Sequence, residues 1–208
     1  MTQSIAHAAN ASTVPTGSLT VITGSMFSGK TEELICRLRG ALYARRSVQV
    51  FKQALDTRSE LTEIRTHNGA LHEAIAVSTS DELRKRVEQT TDVVAIVEAQ
   101  FFDAGIVAVC RHLAGSGHEV IVAGLDMDFR GHPFGPMPIL LAEADEVVKL
   151  RAICALCGRD ASRSQRLIDD HPAPPRPRPS SSVPRRATRL AAVTATRSRS
   201  VPERASRV

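Results

Sequence analysis

The chain has 208 residues and a net charge of +5, enough for one domain with a real core and a small appendage. The charge is uneven: residues 171–208 hold nine Arg and one Glu, a local +8, so the body before them is mildly acidic at −3. No apolar run reaches the ~18–20 residues of a membrane span, the N-terminus lacks the basic start and apolar stretch of a secretory signal, and the four cysteines (Cys36, Cys110, Cys154, Cys157) do not make a disulfide framework, which points to a reduced, cytoplasmic setting.

In chain order, residues 1–17 read as a disordered lead. "SLTVITG" (18–24) predicts a buried strand, β-branched and ending in Gly. A helix is predicted from Thr31 to about Arg45, with Leu34, Leu38 and Leu42 on one face. "SVQVFK" (47–52) predicts a second strand. Residues 55–73 are polar and turn-rich, with Asn68-Gly69 marking a hairpin turn. A short strand covers 74–77, and Ser80 is placed to cap a helix "DELRKRVEQ". Strands at 92–98 and 118–125 alternate with a helix at 104–114. The loop "DMDFRGHPFGPMP", a helix near 139–144 and a last strand "EVVKLRAI" complete the body. Such alternation predicts an α/β fold, a parallel sheet with helices on both faces. From Asp170 the composition changes. Seven of the eleven prolines lie from Pro172 onward among Arg and Ser, and such a segment has too little to bury to offset its ordering entropy.

"GSMFSGKTEE" carries the first chemistry. Gly24-x4-Gly29-Lys30-Thr31 is a complete Walker A pattern between a predicted strand and a predicted helix. Backbone N–H groups of Gly24, Ser25, Met26, Phe27, Ser28 and Gly29, with the positive end of the helix, suit a nucleoside triphosphate. Lys30 reaches toward the β- and γ-phosphates, and the Thr31 hydroxyl can ligate Mg²⁺. The second feature is "VEAQFFD" (97–103). In an open parallel sheet ligands sit at the carboxyl ends of strands, so Glu98 faces the nucleotide crevice, either as a general base for an attacking hydroxyl or as a solvated strand-end carboxylate.

"GSMFSGKTEELICRLR", "EAQFFD", "GLDMDFRGHPFG" and "CALCGRDASRSQRL" together resemble the type II (cytosolic-type) thymidine kinases, over residues 19–167. The resemblance implies a P-loop NTPase-type kinase domain (18–150) and a partial zinc-ribbon segment (151–170); the composition adds a basic Pro/Arg/Ser-rich tail (171–208), expected to be disordered. It implies transfer of the ATP γ-phosphate to the 5′-hydroxyl of thymidine (or deoxyuridine), with Mg²⁺, in a cytoplasmic homo-oligomer, a tetramer in this family. It makes Glu98 the general base and puts Val97, Glu98, Ala99 and Gln100 on the nucleotide side. Met26, Phe101, Leu125, Phe129 and Phe134 match the wall of the base pocket, and Asp56 and Arg58 match a loop pair.

The chain departs from the family pattern in two places. Val97 stands where the family has the aspartate that helps hold Mg²⁺, and a valine accepts no hydrogen bond from a metal-bound water; Asp126 is a candidate substitute. Cys154 and Cys157 are half of a zinc site, and a structural zinc takes four ligands. No Cys follows Cys157, and His171 is the only later His. The lasso over the nucleoside is replaced by Pro/Arg/Ser sequence, the composition that a shifted reading frame in a GC-rich gene produces. Two alternatives therefore stand beside an active thymidine kinase. One is an impaired descendant that binds ATP. The other is a P-loop ATPase or a nucleic-acid binder using its basic tail, against which the tail's lack of aromatic interleaving argues.

Overall fold

The computed structural model describes residues 17–54, 63–66, 69–154, 157–168, 171–172 and 188–193. β1 (Ser18–Gly24) runs through the glycine-rich loop into α1 (Lys30–Tyr43). After β2 (Val48–Gln53) come a hairpin of β3 (Glu63–Thr66) and β4 (Gly69–Glu73), then β5 (Ile75–Val77) and α2 (Ser80–Arg86). β6 (Val93–Val97) leads through a 3-10 turn (Ala99–Phe101) into α3 (Gly105–Gly115). β7 (Glu119–Gly124), α4 (Met137–Glu143) and β8 (Glu146–Leu150) follow. Beyond them lie β9 (Ala152–Ile153), β10 (Asp160–Ala161), β11 (Arg163–Ile168), β12 (His171–Pro172) and β13 (Thr188–Val193).

Six strands form one parallel sheet in the order β5-β2-β6-β7-β1-β8. The pleat sends alternate side chains to opposite faces, and two cores result. On one face Val94 and Ile96 of β6 pack with Leu83 of α2, Ile106 and Leu113 of α3, and Met137 and Leu140 of α4. On the other, Val93, Ala95 and Val97 pack with Leu34, Ile35, Leu38 and Ala41 of α1. The α/β architecture with helices on both faces is as the sequence pattern predicts.

Local differences have local causes. Leu42 sits at the margin of the α1 stripe and Ala41 takes its place inside, because successive i+4 steps drift about 40° around a helix of 3.6 residues per turn. α2 is capped by Thr79, whose side chain accepts from the Glu82 backbone N–H, and not by Ser80. Ser80 is instead buried and donates through its hydroxyl to Asp103 at 2.6 Å. The last predicted strand divides: β8 stays in the main sheet, while β9 turns away to pair antiparallel with β10. The hairpin forms with Thr66 opposite Gly69; Asn68, Asp56, Arg58 and the lead 1–16 lie outside the described residues. The tail also contributes a strand. β13 pairs antiparallel with β11 along its whole length, and "TRLAAV" is the one stretch of the tail with successive apolar residues.

Candidate active site

β6, β7 and β1 are neighbours, so parallel pairing brings the ends of three strands together: Val97, Gly124 and Gly24. A cavity opens there, lined by Lys30, Thr31, Leu34, Val97, Glu98, Ala123 and Gly124. Three non-glycine residues have positive φ among the described residues, and two of them, Phe27 (60°) and Glu98 (52°), are at this site. Left-handed backbone costs about 1–3 kcal/mol at such residues and persists where the surroundings over-determine it.

The glycine-rich loop holds a set of donors. Lys30 Nζ lies 2.7 Å from the Ser25 carbonyl oxygen, to which it donates. Burial pulls its ammonium below the ordinary lysine range, opposed by the carboxylates of Glu98, Asp126 and Glu32. The Ser28 hydroxyl is buried without a hydrogen-bond partner. A buried polar group left unpaired costs free energy, and a phosphate oxygen in the loop is the acceptor it lacks. These groups fit a nucleoside triphosphate. The Thr31 hydroxyl and the Glu98 carboxylate line the same cavity, a hard-oxygen set that suits Mg²⁺, which is commonly held by one or two carboxylates, phosphates and water.

Val97 is 8% exposed and belongs to the α1-side core. The apolar packing around Leu34 therefore reaches the floor of this cavity. Asp126, the candidate substitute, is 7% exposed and already paired with Lys149 at 2.9 Å.

Glu98 opens the 3-10 turn that carries Gln100 and Phe101. Gln100 is buried; its side-chain amide donates to the Glu98 carboxylate and accepts from the Leu125 backbone N–H at 2.9 Å. After Leu125 the chain forms a tight, internally hydrogen-bonded loop. The Asp128 carboxylate accepts from the Arg130 and His132 backbones, and Phe134 N donates to the Asp126 carbonyl. This seats Phe134 edge-on to Phe101, with ring centroids 5.5 Å apart. The glycine-rich loop is also tied to the C-terminal strands: the Ser25 hydroxyl donates to the Ala161 carbonyl, and Met26 N donates to the Ser164 hydroxyl at 2.9 Å.

The family model for thymidine kinase matches residues 17–173. The chain belongs to the thymidine kinase family. It is a nucleoside kinase of that type. Among solved structures, this thymidine kinase family member shares its fold with the flagellar accessory protein FlaH from Methanocaldococcus jannaschii, at 16% identity and a TM-score of 0.51, over 71% of this chain and 76% of that one. A protein described as an ATPase matches at 13% identity and a TM-score of 0.42, over 87% and 80%.

The residues expected to wall the base pocket divide. Leu125, Phe101 and Phe134 are drawn together through Gln100 and the ring contact. Phe129 lies in the same loop, with the Arg130 guanidinium over its ring at 5.1 Å. Met26 is half-buried and is held from the C-terminal side, while Phe27 is exposed. Ala99 is buried in the core. Cys154 is buried and Cys157 exposed at a tight turn in which Gly158 N donates to the Cys154 carbonyl. Among the described residues, no group of three or more His, Cys, Asp or Glu gathers to hold a metal ion. Ala161 and Ser164 fall within "CALCGRDASRSQRL", yet nothing there marks them as partners of the glycine-rich loop; that contact and the Lys149–Asp126 pair come only from the fold.

Proposed function

We propose that the chain transfers the γ-phosphate of ATP to the 5′-hydroxyl of thymidine, with deoxyuridine as a second acceptor. The observation that carries this is Glu98, fixed in a left-handed conformation in the same cavity as Lys30 and Thr31. In the transfer, the 5′-oxygen attacks the γ-phosphorus, its proton passes to the Glu98 carboxylate, and the bond to the bridging β–γ oxygen breaks to release ADP. Lys30 and the loop N–H groups steady the phosphate charge. Thr31 would hold Mg²⁺, whose role is to neutralise charge on the phosphates. Phe101, Leu125, Phe129 and Phe134, with Met26, would flank the flat pyrimidine. The family likeness supports a cytoplasmic homo-oligomer; among the described residues no helix is long and apolar enough to cross a membrane.

The test is thymidine monophosphate formation from thymidine and Mg-ATP, with Glu98→Gln as the control. General-base removal is expected to lower turnover about 10²–10⁴-fold. Turnover unaffected by Glu98→Gln would overturn the assignment. A second reading, an ATP-binding descendant with slow transfer, is favoured by the apolar Val97 in the cavity floor. It predicts ATP binding with little product. Zinc at Cys154 and Cys157 needs further ligands, and metal content of the purified protein decides it.

A further inference from the structure

We propose that Gln100 is a positioning residue that ties the Glu98 carboxylate to the wall of the nucleoside pocket, rather than a nucleotide contact; this rests on Glu98 being the base. Gln100 is 3% exposed, and both ends of its amide are engaged inside the protein. The orientation of the amide follows from donor and acceptor rules. The Leu125 backbone N–H can only donate, so it takes the amide oxygen. The NH₂ group is thereby turned to Glu98, whose carboxylate accepts. One rigid side chain thus connects the end of β7, where Leu125 begins the pocket wall, to the carboxylate that would take the 5′-proton.

The backbone on two sides packs closely against Gln100. A β-carbon placed on Gly124 would lie 2.7 Å from the Gln100 amide oxygen, and one on Gly135 would lie 2.4 Å from its backbone carbonyl oxygen. The strand end and the far side of the 126–136 loop both approach Gln100 at distances that only glycine allows. Phe101, next in the turn, is the ring on which Phe134 rests. Glu98, held at positive φ, begins this turn and receives the Phe101 N–H on its own carbonyl at 3.1 Å. A base must meet its proton donor within about 2.6–3.2 Å, and misplacement by about 1 Å can cost ~100-fold in rate. An amide that spans base and pocket wall sets that distance.

Two measurements test this. In ¹H–¹⁵N spectra, the Gln100 side-chain amide pair, identified by its loss in Gln100→Leu, is expected to move strongly in Glu98→Gln, because its acceptor changes from carboxylate to amide. A pair that stays in place overturns the proposal, and this readout does not depend on turnover. In the kinase assay, Gln100→Leu is expected to lower kcat at least about tenfold with the KM for ATP within about twofold. Gln100→Glu, which keeps the acceptor for Leu125 but faces Glu98 with a second carboxylate, is expected to lower kcat further. A rise in the KM for ATP with kcat retained would make Gln100 a nucleotide contact and overturn the proposal. If Glu98→Gln abolishes turnover and Gln100→Leu does not, the positioning role fails while the base assignment stands. If Glu98→Gln retains turnover, the base assignment itself fails.

Discussion

At the scale of single residues, Val97 is the most consequential position. The pleat points it toward α1, where it joins Leu34 and Ala123 in one core. An aspartate there would place a carboxylate among apolar side chains, with Lys30 in the same cavity as a compensating charge. Val97→Asp is expected to cost on the order of 3 kcal/mol of stability without nucleotide, and Mg-ATP should restore more of it than in the unchanged protein. Urea midpoints with and without Mg-ATP measure both effects; equal nucleotide stabilisation in the two proteins would contradict it. Asp103 gives a pH-dependent case. The Ser80 hydroxyl and backbone N–H and the Gly105 N–H all donate to it and hold its carboxyl below the ordinary value of 3.8. A carboxyl lowered in the folded state contributes stability that is complete above its unfolded value and fades as pH falls through its native value. Asp103→Asn should therefore be the less stable protein at neutral pH, and the gap should close as pH drops below about 4. A gap independent of pH would remove this explanation. Cys110, its thiol pushed up to about 12 chiefly by burial, is expected to resist alkylation under conditions that modify Cys36 and Cys157.

At the scale of elements, the start of α2 shows how far sequence signals reach. Thr79 and Ser80 both suit an N-cap, and only Thr79 has the capping-box partner three residues on, Glu82. Tertiary structure agrees: Asp103, between the 3-10 turn and α3, claims Ser80 and leaves Thr79 to the helix end. Thr79→Ala is expected to cost about 1 kcal/mol through the lost cap. Ser80→Ala should instead loosen the link between α2 and the turn after β6. Thermal unfolding of both variants, and of each combined with Asp103→Asn, separates the two: only the Ser80 effect should be non-additive with Asp103. Elsewhere the pattern was legible because it is local. The strand before Gly24, the Walker A spacing and the β6 run each carry their meaning within a few residues. The Gln100 link, the Asp126–Lys149 pair and the Ser164 contact join positions 23–138 residues apart in the chain, and no local pattern encodes them.

At the scale of the whole molecule, the basic tail changes most between sequence and structure. Its composition argues against a packed core, yet Thr188–Val193 completes a three-stranded sheet with β11 at its centre. Leu190→Pro removes a backbone donor and fixes φ within this strand. It is expected to raise amide exchange across Arg163–Ile168, and unchanged protection there would show that β11 is ordered without the pairing. The two hydrogen bonds from Ser25 and Met26 to Ala161 and Ser164 give this a practical edge. A chain cut after Leu150, where the six-stranded sheet ends, would carry every residue of the Walker pattern and still lack the acceptors that hold two of them. The smallest fragment that binds ATP with the affinity of the whole chain is expected to extend through Val193, the end of the strand that pairs with β11, so that dissection for crystallography or display has its boundary well beyond the six-stranded sheet.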